Sequence, residues 1–431
     1  MLGRFSLYGF IKNQQYYDPF LILIFRQIGL SFFMIGILAG FREVMVNLME
    51  IPSGAIADLF GRRRSMILSF AAYIVSFMLF GITGVAATNG FISMTTILPL
   101  LFVAMGFFSI GEAFRTGTHK AMIFTWLRLE GREDDRTRVY GYTRSWSKLG
   151  SALSVIIAAL LVFATSNYVY IFFFSIIPYI MGIINFMGYP REVDGDTKKV
   201  TSAREVMPHL KEALSVSVKQ SSLRRLVLES MGFEGFFKAA KDYLQPILKA
   251  AALPLTGALL LSESLSEQQQ AALLVGPVYF VLYLVSALAS RKSYVLVDKQ
   301  GSEEQTSRLL WLISLLVLTA LAPALYFCRF SVIILDFIAL HVLQNLWRPV
   351  LISRFDAHSD EAMGATILSI ESQAKSVSTM VIAPGLGYVV DLMNTRSIGC
   401  LPFWPVAIFG AAVALTFFAT AETPTRRRRI R

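Results

Sequence analysis

Charge is what this sequence has least of. Of its 431 residues only 16% are Asp, Glu, Lys or Arg, against roughly 25% in an ordinary globular protein. So few charges cannot cover a soluble surface of that size, which excludes water as the main solvent. Cysteine is scarcer still: two in the chain, too few for a disulfide scaffold. Four scattered His show no metal-ligand spacing, and no metal or other cofactor is expected. A Gly-x-x-x-x-Gly-Lys-Ser/Thr loop for ATP hydrolysis is missing, as is any convincing Ser/His/Asp set or loop-borne carboxylate pair. An enzyme is therefore not expected. Nor is a cleavable signal peptide, because Lys12-Asn13-Gln14-Gln15 interrupts the first apolar run before any small-residue cleavage site.

What is present is apolar. Hydrophobic residues make up 55% of the chain, Phe alone numbers 34, and the mean hydropathy is +0.57. Yet 40 Lys and Arg face 29 Asp and Glu, a net charge of +11. In a soluble protein that surplus would suggest nucleic acid. In a membrane protein it first poses a question of sidedness.

A membrane-spanning helix needs about 20 mostly apolar residues. Twelve such runs can be read, at residues 6–26, 31–57, 65–87, 92–123, 139–164, 168–187, 226–250, 271–290, 309–327, 331–353, 366–393 and 402–419. They are continuous and lack the alternation of β-barrel strands. The expected fold class is all-α, a polytopic membrane protein. With both termini cytoplasmic, 26 of the 40 basic residues fall in cytoplasmic segments and two, Arg329 and Arg396, fall outside. That asymmetry supports both the span count and the orientation, and with it an inner-membrane location. It also removes the need for a nucleic-acid partner. The expected domains are an N-terminal six-helix half (1–189), a cytoplasmic linker (190–225) with a short amphipathic helix near 202–215, and a C-terminal half (226–431) ending in a basic tail.

The halves repeat one another faintly. Glu112-Ala113-Phe114-Arg115 and Arg144-Ser145-Trp146-Ser147-Lys148 in spans four and five correspond to Asn345-Leu346-Trp347-Arg348 and Glu371-Ser372-Gln373-Ala374-Lys375 in spans ten and eleven. Asp18-Pro19 in span one matches Gln245-Pro246 in span seven. Such duplication points to a transporter with its site at the repeat interface. Between spans two and three, Gly54-Ala55-Ile56-Ala57-Asp58-Leu59-Phe60-Gly61-Arg62-Arg63-Arg64 resembles the G-x-x-x-D-x-x-G-R-R signature loop of the major facilitator superfamily. The resemblance covers the whole chain. It implies two pseudo-symmetric six-helix halves and a gating role for Gly54, Asp58, Gly61, Arg62 and Arg63, with the carboxylate at Asp58 set against a helix N-terminus. The second-half copy, Ser286 to Lys292, lacks both the Gly and the Asp, and span five has no Gly-Pro pair of the kind drug/proton antiporters carry.

Charges within the spans are costly and should face a water-filled cavity or one another. Glu43, Asn47, Glu50 and Gly54 share one face of span two, and Glu112, Arg115, Thr116 and His119 one face of span four. Glu234, Lys238 and Lys241 form a stripe on span seven, and His341, Asn345 and Arg348 another on span ten. In the resembled family spans one, four, seven and ten line the central cavity. The expected substrate-binding residues are therefore Asp18, Arg115, Lys238, Lys241, Asn345 and Arg348, with Glu43, Glu112 and Glu234 as proton carriers. Each has a plainer reading as a structural ion pair or helix contact. His119 and His341 read as hydrogen-bonded helix contacts; Tyr8, Tyr16, Tyr17, Phe114 and Trp347 as packing or interfacial rings. Lys12, Lys120 and Arg26 read as snorkelling at span ends, Asp391 and Arg354 as interfacial. Cys328 and Cys400 fall in or beside outside loops, a disulfide there being the alternative to two unrelated thiols.

The reading that best joins these features is a secondary transporter, monomeric, moving a small charged or zwitterionic organic solute by alternating access, with protons as coupling ion. The alternatives are a multidrug drug/proton antiporter or a lipid flippase on the same fold. A sensor derived from a transporter would carry an added cytoplasmic domain, and none is expected.

Overall fold

The structure, a computed structural model, describes residues 1–115, 118–132, 135–194, 220–258, 264–357, 364–394 and 401–421. Every regular element among the described residues is helical. Among the described residues ten helices are long and apolar enough to cross a membrane. They are spans two to six and eight to twelve of the sequence reading. Spans one and seven are absent from that set for one reason: each is broken. The fold is all-α, and the twelve-helix reading stands once the broken pair is included.

Span one runs as helix Leu2–Ile11, a 3-10 turn Asp18–Phe20 and helix Leu21–Ile28. Asn13 Nδ2 donates to the Gly9 carbonyl at 2.8 Å, taking an acceptor the helix would use, and Pro19 has no amide to give. Span seven runs as helix Ser221–Ser230, a π-helical segment Met231–Gly235, helix Phe236–Ala240, a 3-10 turn Lys241–Tyr243 and helix Leu244–Ala258. Its 3-10 turn lies about one helical turn ahead of the Gln245-Pro246 match. Both breaks fall inside runs that the sequence assigns to the membrane, where irregular backbone is tolerated only against protein or a watery cavity.

Span two (Phe32–Phe60) starts on Ser31, whose hydroxyl accepts from the Met34 amide at 3.2 Å, and ends at Gly61, whose φ of +93° suits glycine alone. Span nine (Glu303–Tyr326) starts likewise on Ser302, with Glu303 and Glu304 favouring its first turn.

The chain divides into two compact units, Met1–Met207 with Leu248–Tyr283, and Pro208–Ile247 with Leu284–Arg431. The first unit is glazed with rings. Tyr73 lies 4.7 Å from Tyr179 and 5.1 Å from Phe108 between ring centroids. Spans one and five (the latter Arg136–Thr165) pack glycine against backbone: a Cβ on Gly150 would sit 2.5 Å from the Phe10 carbonyl oxygen, and one on Gly9 2.7 Å from that of Thr143. Small residues of this kind let membrane helices approach closely. In the second unit Trp311 stacks on Phe417 and meets Trp347 edge-on, each at 4.8 Å. Trp347 is thus a packing residue, 1% exposed.

Candidate functional site

Span four is described as helices Met94–Arg115 and Thr118–Leu129, and Glu112 and Arg115 share a face near the end of the first. They form an ion pair with each other. Tyr73 of span three (Arg62–Thr88) donates its hydroxyl to the other Glu112 oxygen at 2.7 Å, and Arg115 Nε points to the same hydroxyl at 3.4 Å. Both carboxylate oxygens are thereby occupied. The expected proton carrier and the expected anchor are one closed triad with a tyrosine that the sequence did not single out. Asp18 accepts from the Tyr283 hydroxyl. Tyr17 lies within electrostatic reach of both Asp18 and Glu112, which ties the span-one break to the triad. Glu43, 3% exposed, pairs with its neighbour Arg42 at 2.9 Å.

In the second unit Arg348 makes a two-pronged bond to Glu371, at 2.6 and 3.1 Å, and Ser230 donates to the same carboxylate. Glu234 sits in the π-helical segment, 6% exposed, and accepts from Gln344 Nε2 at 3.3 Å. Among the described residues no cation lies within ion-pair distance of it, although Arg348, Lys375 and Glu371 act on it electrostatically. Glu234, Arg348 and Glu371 therefore make a second cluster. Lys241 is held by Asp242 at 2.7 Å, Lys238 is half-buried, and Asn345 donates back to the His341 carbonyl at 2.8 Å. The histidines behave as helix contacts: His341 Nδ1 is 2.8 Å from the Phe337 carbonyl, and His119 Nε2 is 3.4 Å from the Tyr189 hydroxyl.

Arg354 is buried, 7% exposed, and bonds Glu229 at 2.6 Å and Ser307 at 2.8 Å. One expectation is corrected. Lys12 does not snorkel to a span end but lines a cavity, its ammonium 5.6 Å over the Tyr8 ring. Arg26, in the last turn of helix Leu21–Ile28, donates to the Leu30 carbonyl just beyond it at 2.8 Å.

At the signature loop, Arg62 donates to Thr125 at 2.8 Å and Arg63 to the Tyr189 carbonyl at 3.1 Å. The first-turn amide of Arg63 donates to Asp194 at 2.6 Å. A carboxylate thus occupies the N-terminus of span three, where the helix dipole favours it. A Cβ at Gly61 would come within 3.1 Å of that carboxylate. The side chains at positions 54 and 58 lie outside the described residues, as do Thr116, Cys400 and the expected amphipathic helix of the linker.

Helices of this length and apolarity, broken at matched places and carrying charge at depth, define a multi-pass membrane transporter. The model of the Major Facilitator Superfamily matches residues 5–371, and the chain belongs to that superfamily. A search of curated proteins gives no match. Among solved structures, a mutant of the nucleoside transporter NupG is similar at 11% identity, covering 98% of this chain and 100% of its own, with a TM-score of 0.78. A D-xylose-proton symporter is similar at 14% identity over 99% and 97% of the two chains, TM-score 0.68. A bacterial homologue of the iron transporter ferroportin, in an inward-facing state, is similar at 13% identity over 97% and 95%, TM-score 0.68. These likenesses establish the fold. The chain is a secondary transporter rather than an enzyme, with the bilayer as solvent and a small molecule as substrate.

Proposed function

We propose that the chain moves a small charged or zwitterionic organic solute, coupled to protons, by rocking its two six-span halves (1–189 and 226–431, joined by 190–225) about a site near the membrane midplane. It would work as a monomer in the cytoplasmic membrane with both termini on the cytoplasmic side. The observation that best supports this is the closed Glu112–Arg115–Tyr73 triad. While Glu112 is ionised, its carboxylate occupies Arg115. Adding a proton removes that claim and frees the guanidinium for an anionic group of the solute. Losing the proton restores the pair and expels the solute, so proton and solute binding are linked through one side chain. Glu234 offers a second proton site, being buried with an amide donor and, among the described residues, no cation inside pairing distance. That a structural neighbour is a proton symporter is in keeping with this reading.

The substrate would first be found by a thermal-shift screen against a metabolite library, since a ligand at a hundredfold excess over Kd adds about 2.7 kcal/mol of stability. In proteoliposomes, Glu112→Gln should then abolish proton-driven uptake and preserve counterflow exchange. Normal proton-driven uptake by that variant would sink the assignment of Glu112, and the same assay on Glu234→Gln would decide the second carboxylate.

A further inference from the structure

We propose that a basic cavity inside the first unit binds the anionic group, a phosphate or carboxylate, of a small organic solute. This rests on the transport reading and narrows its substrate class. The cavity has a volume of about 360 Å³ and is lined on its polar side by Lys12, Asn13, Thr143, Arg144, Ser147 and Lys148. That volume is at the small end of the roughly 300–1,000 Å³ typical of ligand pockets, which suits a small solute.

Three cations line this space and no carboxylate does. Among the described residues, none of the three has a carboxylate partner within ion-pair distance. Among the other deep cations Arg42, Arg115, Lys241, Arg348 and Arg354 each hold an acidic partner, and Lys375 acts electrostatically on the nearby Glu371 and Glu234. Arg144 and Lys148 lie inside the crossing stretch Tyr142–Thr165, one helical turn apart on the same face. Like charges so placed repel and weaken the helix. Both are exposed residues that line the cavity. An anion would satisfy all three cations.

The break in span one makes the arrangement possible. Lys12 follows the last residue of helix Leu2–Ile11, and the glycine contacts of Gly9 and Gly150 bring spans one and five close enough for it to share a cavity with Arg144 and Lys148. Arg115, Glu112 and Arg144 all act electrostatically on the Lys12 ammonium. The cavity therefore senses the charge of the Glu112 triad: protonating Glu112 removes a nearby negative charge and strengthens the pull on an anion.

The test is calorimetric titration of the full-length protein in phosphatidylcholine nanodiscs with phenyl phosphate and benzoate, using phenol and benzylamine as neutral and cationic controls. Wild type should bind one or both anions and neither control. Arg144→Gln and Lys148→Gln should each weaken anion binding about tenfold, the order expected for one lost charge-assisted hydrogen bond. Arg144→Lys should retain most of it, which separates lost charge from a damaged fold. Binding unchanged in both Gln variants, no anion binding by wild type at millimolar concentration, or phenol binding as well as phenyl phosphate would overturn the proposal. Repeating the titration in phosphatidylglycerol nanodiscs identifies the source of the anion. Competition lost in the Gln variants assigns it to a lipid headgroup, and no competition assigns it to a soluble solute. Counterflow without anion binding would refute the cavity and spare the transport reading; anion binding without uptake or counterflow would do the reverse.

Discussion

The two units treat buried charge differently. In the second, Glu229 takes Arg354 at 2.6 Å and Arg225 at 2.9 Å, and Glu371 takes Arg348 with both prongs. These pairs cancel in place, and the buried carboxylate left over, Glu234, keeps Arg348 and Lys375 within electrostatic reach. In the first, the Glu112–Arg115 pair stands within electrostatic reach of Lys12, and Lys12 shares a cavity with Arg144 and Lys148, which nothing described neutralises. A cancelled charge holds helices together; an uncancelled one beside a cavity is open to a ligand of opposite sign. The lesson is that counting intramembrane charges says less about function than asking which of them remain unmatched.

Four substitutions would break or sharpen that contrast. The largest effect is expected from Arg354→Ala, which takes the more buried of its two arginine partners from Glu229 and leaves Arg225 alone, in a site where the Arg354 and Glu229 side chains are 9% and 2% exposed. Loss of about 3–5 kcal/mol is expected, read as a large fall in melting temperature in detergent; little change would mean the second unit's pairs do not hold it together. Gly150→Ala should come next, at about 1–3 kcal/mol from overpacking, because the added methyl meets the Phe10 backbone at 2.5 Å. It should also weaken anion binding by spreading spans one and five, so a stability loss with intact binding would separate the cavity from that crossing. Ser302→Ala, which removes the cap of span nine, should cost about 1 kcal/mol and leave transport untouched. The smallest stability effect belongs to Arg144→Gln: within about 0.5 kcal/mol of wild type or slightly more stable, since it relieves a like-charge neighbour. A marked destabilisation there would mean Arg144 is structural after all.

Much of this was legible in one dimension. Apolar run length needs no partner to be read, and ten of the runs are found as crossing helices among the described residues. The signature loop was equally visible, because Gly61 and its arginines act through local backbone and charge. Spans one and seven were read as continuous, although Asn13, Pro19 and the Gln245-Pro246 pair carried a signal of interruption. What sequence spacing could not reveal was partnership across elements. Glu112 and Arg115 are three residues apart and were paired by periodicity; Tyr73 joins them from another helix. Arg348 finds Glu371 across 23 residues and Arg354 finds Glu229 across 125. Lys12 was misread because distance along the chain places it near a span end, whereas the break turns it inward.

The sequence by itself determined that this chain lives in a bilayer, how many times it crosses, and which superfamily it resembles. Those properties depend on run length, local motif and the sorting of charge along the chain, none of which requires a fold to be known. Tertiary structure alone decided which charges cancel and which remain to act. An electrostatic interaction depends on distance in space, and helices far apart in sequence set that distance only when they pack.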